Sequence, residues 1–290
     1  LKRNPSTNPL IELFSDYLST IDGALEREID LYSWSEFYAP LRYACEGGKR
    51  IRPLILILSS ESVKYQKVES VIKIGEPTLL AASAIELLHT ESVIHDDIID
   101  EQDNRRNKPS FHIKYGYNSS ILTADFVLGI ILNLGSKINN PRVSVELSNA
   151  ALKMSEGEMI EIKLSKQTEI DVDDYIKVLE YKTASLFEAS AKIGAILGDG
   201  CEDEIHALAS FGNLLGIAYQ IHDDLIDWNN EDKLFNLLVK KNEHSLEFVK
   251  NMESIYLSYS MKAKNELRRI ENSVTKNHLE HLTDLAAIQI

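Results

Sequence analysis

Three aspartates, Asp96, Asp97 and Asp100, crowd one turn of the segment IHDDIIDEQDNRRNKP (94–109), and Arg105, Arg106 and Lys108 follow at once. Almost the same pattern returns as IHDDLID at 221–227, bringing in Asp223, Asp224 and Asp227. At about 100° per residue, the first and last aspartates of each cluster share a helix face. Carboxylates this close repel one another, so positive charge must sit among them. Their hard oxygens suit Mg²⁺, which keeps several waters and binds through one or two carboxylates plus phosphate oxygens. Neither cluster contains a cysteine, which argues against a soft or redox metal. A di-iron carboxylate bundle would need Glu-x-x-His pairs, and here His95 and His222 precede the aspartates instead. One such cluster is explained by a solvated acidic face. Two near-copies embedded in apolar helical sequence point to two metal-loaded walls that hold a polyanion such as diphosphate between them.

The donors such an anion needs lie elsewhere in the chain. GGKRIRP (47–53) sets Lys49, Arg50 and Arg52 beside two glycines, which let backbone approach a ligand closely. Lys49 and Arg52 are three residues apart, so both can point one way. With Arg105, Arg106 and the Lys182–Thr183 pair of YKTAS they form a second set of phosphate donors. Below Asp96 on its helix face come Ser92, His89 and Ile85. Below the second cluster come Gln220, Tyr219, Gly216 and Gly212, the glycines serving either helix packing or a substrate tunnel.

The elements that must position these groups read as helices throughout. TLLAASAIELLHTESVIHDDIID, DDYIKVLEYKTASLFEASAKIGAILG (173–198) and EIHALASFGNLLGIAYQIHDDLIDW each carry apolar residues through several turns without proline. Strand-type alternation is hard to find, and no Pro/Ser-rich linker divides the chain. The expectation is one all-α domain over residues 1–290, a bundle of about ten or more helices. From Lys240 onward the sequence reads as charged amphipathic helices packed on that bundle. A formal net charge of −14 argues against a nucleic-acid surface, which needs a positive track for the phosphates. Two cysteines, Cys45 and Cys201, are too few for a disulfide framework and fit a reducing cytoplasm. No uninterrupted apolar run approaches the roughly 18 residues of a membrane span, and LKRNPSTNPL lacks the apolar stretch of a signal peptide.

GGKRIRP, HDDIIDEQDNRRNKP, KTA and QIHDDLID, in that order between about residues 40 and 230, make the chain resemble the trans-type isoprenyl diphosphate synthases. Two complete Asp-Asp-x-x-Asp motifs with a basic motif ahead of them are a specific combination. The resemblance implies a helical bundle around a central cavity, Mg²⁺ as cofactor, isopentenyl and allylic diphosphates as substrates, and a homodimer. By the same resemblance, Asp96, Asp97, Asp100, Asp223, Asp224 and Asp227 would hold a Mg²⁺ cluster on the allylic diphosphate. Arg105, Lys182, Thr183 and Gln220 would contact that diphosphate or support its ionisation, the last three as catalytic groups. Lys49, Arg52, His89 and Arg106 would bind isopentenyl diphosphate.

The sequence departs from that family in two places. The Gly-Lys-rich stretches expected after the second cluster are replaced by WNNEDKLFNLLVKKNEHS, whose nearest lysines are Lys233, Lys240 and Lys241. The two residues that set product length there, four and five before the first aspartate, are Ser92 and Glu91, with no aromatic floor. Glu91 is expected to face sideways, because a bare carboxylate in an apolar tunnel is costly. Leu88, Phe126 and Leu128 are candidates for the floor. The expected product is geranylgeranyl diphosphate (C20), with longer polyprenyl chains next and C15 farnesyl diphosphate after them. The competing readings are a non-catalytic subunit of a hetero-oligomeric synthase and a terpene cyclase.

Overall fold

Apolar residues at helical spacing become helices almost without exception. The computed structural model describes residues 9–64, 74–105, 108–167, 169–226, 234–241 and 245–285. In chain order these form α1 (Pro9–Asp30), α2 (Tyr38–Cys45), α3 (Ile51–Ser62), α4 (Glu76–Ile99), a hairpin of β1 (Asn104–Arg105) and β2 (Lys108–Pro109), α5 (Phe111–Tyr115), α6 (Tyr117–Ile138) and α7 (Pro141–Leu164). After them come α8 (Val172–Leu179), one π-helical turn (Glu180–Ala184), α9 (Ser185–Leu197), α10 (Glu202–Ile226), α11 (Leu234–Lys241), α12 (Ser245–Glu266), a 3₁₀ turn (Leu267–Arg269) and α13 (Val274–Leu285). The expected all-α bundle is therefore what forms. The segment 173–198, read as one helix, is instead two helices joined by the π turn.

Helix α3 is apolar on every side, as a central helix must be, with Leu54, Ile55, Leu56, Ile57 and Leu58 all fully buried. It packs against α4, α9 and α13, while α9 also packs on α10 and α7. Around α3 gathers the larger core cluster, which takes in Leu186 and Phe187 of α9. A smaller cluster joins Tyr175, Val178 and Leu179 of α8 to α10, α11 and α12. The π turn lies between the two cores. The tail forms α12 and α13, packed on α10 and α3 as expected.

The glycine turn ahead of α3 has one unexpected resident. Gly47 and Gly48 take positive φ, 76° and 102°, which a residue with a Cβ adopts only with strain. Arg50, grouped above with Lys49 and Arg52, follows at φ 51° and turns inward. Its guanidinium donates to Glu86 (2.6 Å), Asp22 (2.8 Å) and the Cys45 carbonyl (2.7 Å). It is a structural tie between α1, α2 and α4. Removing one partner of such a buried pair costs about 3–5 kcal/mol.

By length and composition α6 is apolar enough to cross a membrane, with a mean hydropathy of 1.6, although no uninterrupted run was visible in its sequence. In the fold it lies along α4 with Val127, Ile130, Ile131 and Leu134 buried. Its other side exposes Ile121, Leu122, Leu128 and Leu132.

Candidate active site

Both aspartate clusters sit at the C-terminal ends of their helices, α4 and α10. A helix C-terminus carries partial negative charge, so acidic side chains there are destabilising, by about 0.3–1 kcal/mol each at exposed positions. Two helices breaking the same local rule in the same way mark a place held for function. Asp100 is the C-cap of α4, its N–H donating to the Asp96 carbonyl at 2.8 Å. Glu101 then takes φ 50°, which ends the helix and turns the chain toward the β hairpin. That hairpin brings Arg105 back over α4, where its Nε donates to the carboxylate of Asp97. Asp97 is only 2% exposed, so this pairing neutralises a buried charge.

Lys182 sits in the π turn. Its ammonium pairs with Glu158 and, at 2.7 Å, with Glu161, both on α7. The turn and α7 meet at Gly157, where a Cβ would fall 2.4 Å from the backbone nitrogen of Lys182. A side chain there would push the lysine away from its carboxylates. On the other side, Gly216 of α10 packs on Ala184, and Gly212 on the Phe187 carbonyl. Both glycines thus serve helix packing.

From the neighbouring residue a hydrogen-bond chain runs to the second cluster. Thr183 Oγ1 donates to Gln220 Oε1 (3.2 Å), and Gln220 Nε2 donates to Asp224 Oδ1 (3.1 Å). The other oxygen of Asp224 accepts from the Tyr175 hydroxyl at 2.8 Å. Asp224 is buried, whereas Asp223 is half-exposed. Lys49 donates to the Tyr219 hydroxyl at 3.4 Å, and the Arg52 guanidinium lies 4.7 Å over the Phe187 ring. Those two rings are 5.4 Å apart, so the glycine-turn cations reach the same α9–α10 face that carries Gln220. His89 is half-buried on α4. His95 lies 3.5 Å from Glu91, one turn along the same helix. His222 packs on Tyr256. Arg106, Asp227 and Lys233 lie outside the described residues, and Lys240 is exposed at the end of α11.

Of the candidate floor residues, Leu88 is buried and Phe126 stacks on Phe37 at 4.6 Å. Leu128 is 40% exposed on the outer side of α6, so it does not line the interior.

The charges around Asp96 are out of balance. Burial raises its carboxyl to about 7, and Glu158 and Asp100 push the same way against Lys182 and Arg105. Burial also raises Asp100. For Lys182 burial alone would lower the ammonium, but Glu161, Asp96 and Glu158 outweigh it and hold it above the usual lysine range. Such an excess of hard oxygen donors fits a divalent cation. Asp96 and Asp100 from one helix end and Asp223 from the other could hold it. Among the described residues no three acidic, imidazole or thiol groups already converge on one point, so phosphate and water would complete the shell.

A pH effect follows. The folded pKa of Asp96 exceeds the roughly 3.9 of an unfolded aspartate, so between about pH 4 and pH 7 the native state binds more protons. Stability therefore falls as pH rises through that window. Without divalent cation, the melting temperature is expected to decline from pH 5 to pH 8, and Asp96→Asn is expected to flatten the decline. Differential scanning calorimetry reads both; an unchanged slope in the variant would contradict the assignment to Asp96.

Three contributors were not singled out in the sequence. Glu158 and Glu161 stand i, i+3 beside a glycine in EGEMIEI, a pattern that separates from an ordinary solvated face only once the partner lysine is in place. Tyr175 precedes Lys182 by seven residues, about two turns, and a helix-interior tyrosine in an apolar stretch carries no signal of its own.

Comparison with known proteins gives the family and the fold. The polyprenyl synthetase family profile matches residues 35–282. A geranylgeranyl diphosphate synthase of Methanosarcina mazei is 34% identical over 224 residues, 75% of this chain and 67% of that protein. The octaprenyl diphosphate synthase of Escherichia coli is 34% identical over 183 residues, 63% of this chain and 54% of that protein. The crystal structure of a geranylgeranyl pyrophosphate synthetase from Pyrococcus horikoshii superposes with a TM-score of 0.84 at 25% identity, covering 97% of this chain and 98% of the other.

Proposed function

The chain belongs to the polyprenyl synthetase family, and on that premise we propose that it joins isopentenyl diphosphate to an allylic diphosphate, with geranylgeranyl diphosphate as the principal product. The observation that carries this reading is the π turn, where Lys182 pairs with Glu158 and Glu161 in the field of Asp96 while the next residue, Thr183, starts a hydrogen-bond chain through Gln220 to Asp224, so that one donor turn serves both acidic helix ends. Mg²⁺ held by Asp96, Asp100 and Asp223, with Asp227, would neutralise the diphosphate as it leaves. Asp97 and Asp224, buried and bonded within the protein, brace those ligands. Lys182 and Arg105 donate to the allylic diphosphate, which helps its C1–O bond break. Thr183 and Gln220 line the place where the allylic cation forms. Lys49, Arg52, His89 and Arg106 hold the second diphosphate, so that its terminal double bond lies within bonding distance of that cation. The new carbon–carbon bond forms, and a proton passes to the released diphosphate.

The C20 product is supported by the Methanosarcina relative and by the absence of an aromatic residue at Glu91 and Ser92. The second reading is a non-catalytic subunit, favoured only by the altered stretch after Asp227. The outward apolar residues of α6, with Val145 and Leu152 of α7, support burial against a second copy of the chain, hence a homodimer. Cys45 and Cys201 are both free thiols, which supports a cytoplasmic location. The test incubates purified protein with Mg²⁺, isopentenyl diphosphate and C5, C10 or C15 allylic diphosphate, and sizes the products by mass spectrometry. A ladder ending at C20 is expected. A longer end point overturns the product, and no condensation with any primer overturns the enzyme reading.

A further inference from the structure

Resting on that reading, we infer that Tyr175 is a positioning residue for the reaction: its hydroxyl anchors Asp224, the carboxylate at the head of the hydrogen-bond chain that ends at Thr183.

Tyr175 is 1% exposed, and its hydroxyl donates to Asp224 Oδ2 at 2.8 Å. A carboxylate only accepts hydrogen bonds, so the Gln220 group facing Asp224 Oδ1 must be the NH₂ end. That leaves the amide oxygen toward Thr183, whose single hydroxyl proton is then used in donating to it. The remaining lone pairs of Thr183 Oγ1 are left as acceptors, the polarity that favours a positive charge forming beside the turn. With both oxygens of Asp224 engaged inside the protein, Asp223 is the member of the pair left half-exposed at the end of α10. The ring of Tyr175 is held separately, tilted against Phe235 at 5.5 Å. The hydroxyl can therefore be removed without unseating the side chain.

The chain spans α8, the π turn and α10, so one bond deep in the smaller core fixes two faces of the site at once. Without the Tyr175 bond, Asp224 Oδ2 loses that donor, and the carboxylate that orients Gln220 is held less firmly.

The test compares wild type, Tyr175→Phe, Asp224→Asn and the double variant. Binding of Mn²⁺ with inorganic diphosphate is followed by loss of the free Mn²⁺ electron paramagnetic resonance signal, alongside kcat and KM. Tyr175→Phe is expected to weaken Mn²⁺–diphosphate binding and lower kcat each by about tenfold, the scale of a lost hydrogen bond to a charged group, with KM for isopentenyl diphosphate within twofold. Asp224→Asn tests the same bond from its other end should the phenylalanine variant not fold, and it must lower both quantities at least as much. The double variant is expected to lose less than the product of the two single losses, since both changes weaken the same bond. The inference is overturned if Tyr175→Phe melts earlier yet binds Mn²⁺–diphosphate and turns over like wild type, or if the two losses multiply. Ion binding needs no turnover. A wild type that binds Mn²⁺–diphosphate but makes no prenyl product sinks the proposed function and leaves this comparison intact, whereas one that binds none overturns the inference as well.

Discussion

Asp96→Asn is expected to reduce condensation at saturating substrates by roughly 10³-fold, the scale of losing one transition-state electrostatic contact or more, while the protein becomes no less stable near neutral pH. The two halves of that expectation come from the same feature. Asp96 lies at the negative end of α4, in the field of Glu158 and Asp100, with its carboxyl raised to about 7. Ionised and unmatched it is strained by that field; matched by the divalent cation proposed above it would become a ligand. The amide of asparagine removes the charge from both states. Steady-state kinetics with a Mg²⁺ titration and a melting curve at pH 7.5 check it together. A variant that keeps more than a tenth of wild-type kcat would remove Asp96 from the metal set.

Lys182→Gln carries the second large effect, an expected 10²- to 10³-fold loss of kcat. Here the ion binding separates the roles. Glu158, Glu161 and Asp96 all lose their shared cation, so the site grows more negative and Mn²⁺ alone should bind at least as tightly as to wild type. Diphosphate with Mn²⁺ should bind more weakly, because one donor to it is gone. If Lys182 served only to tie the π turn to α7, the variant would melt earlier and bind diphosphate as before. Isothermal titration with each ion in turn distinguishes the two.

The elements and the candidate charged groups are legible in the sequence. The clusters at 96–100 and 223–227, the cations of GGKRIRP and the KT pair stand out because charge in an apolar helical context has few explanations, and α4 and α10 form where the periodicity puts them. Direction was not readable. Arg50 sits between Lys49 and Arg52 with the same chemistry, yet a left-handed backbone angle turns it to Glu86 and Asp22. Residue spacing on an ideal helix cannot show that, since the reversal happens just before the helix begins. Likewise Asp97 and Asp224 look equal to their neighbours in sequence and are distinguished only by burial and by their partners, Arg105 and Tyr175. The membrane-length apolar character of α6 does not show as an unbroken run because Asn118, Asp125 and Asn133 interrupt it.

The wide turn at Glu180–Ala184 has a consequence for how the gene can change. A π turn holds one more residue than an α turn, so the helices on either side of it are out of phase by about 100°. Here the offset lets Tyr175, Val178 and Leu179 face one core while Leu186 and Phe187 face the other. Deleting any single residue between 180 and 184 would restore a continuous α-helix and rotate one set of side chains out of its core. The reading of this stretch is thus fixed in length as well as in letters. Substitutions at Glu180 or Tyr181, which are exposed and half-exposed, should be accepted far more readily than the loss of either residue.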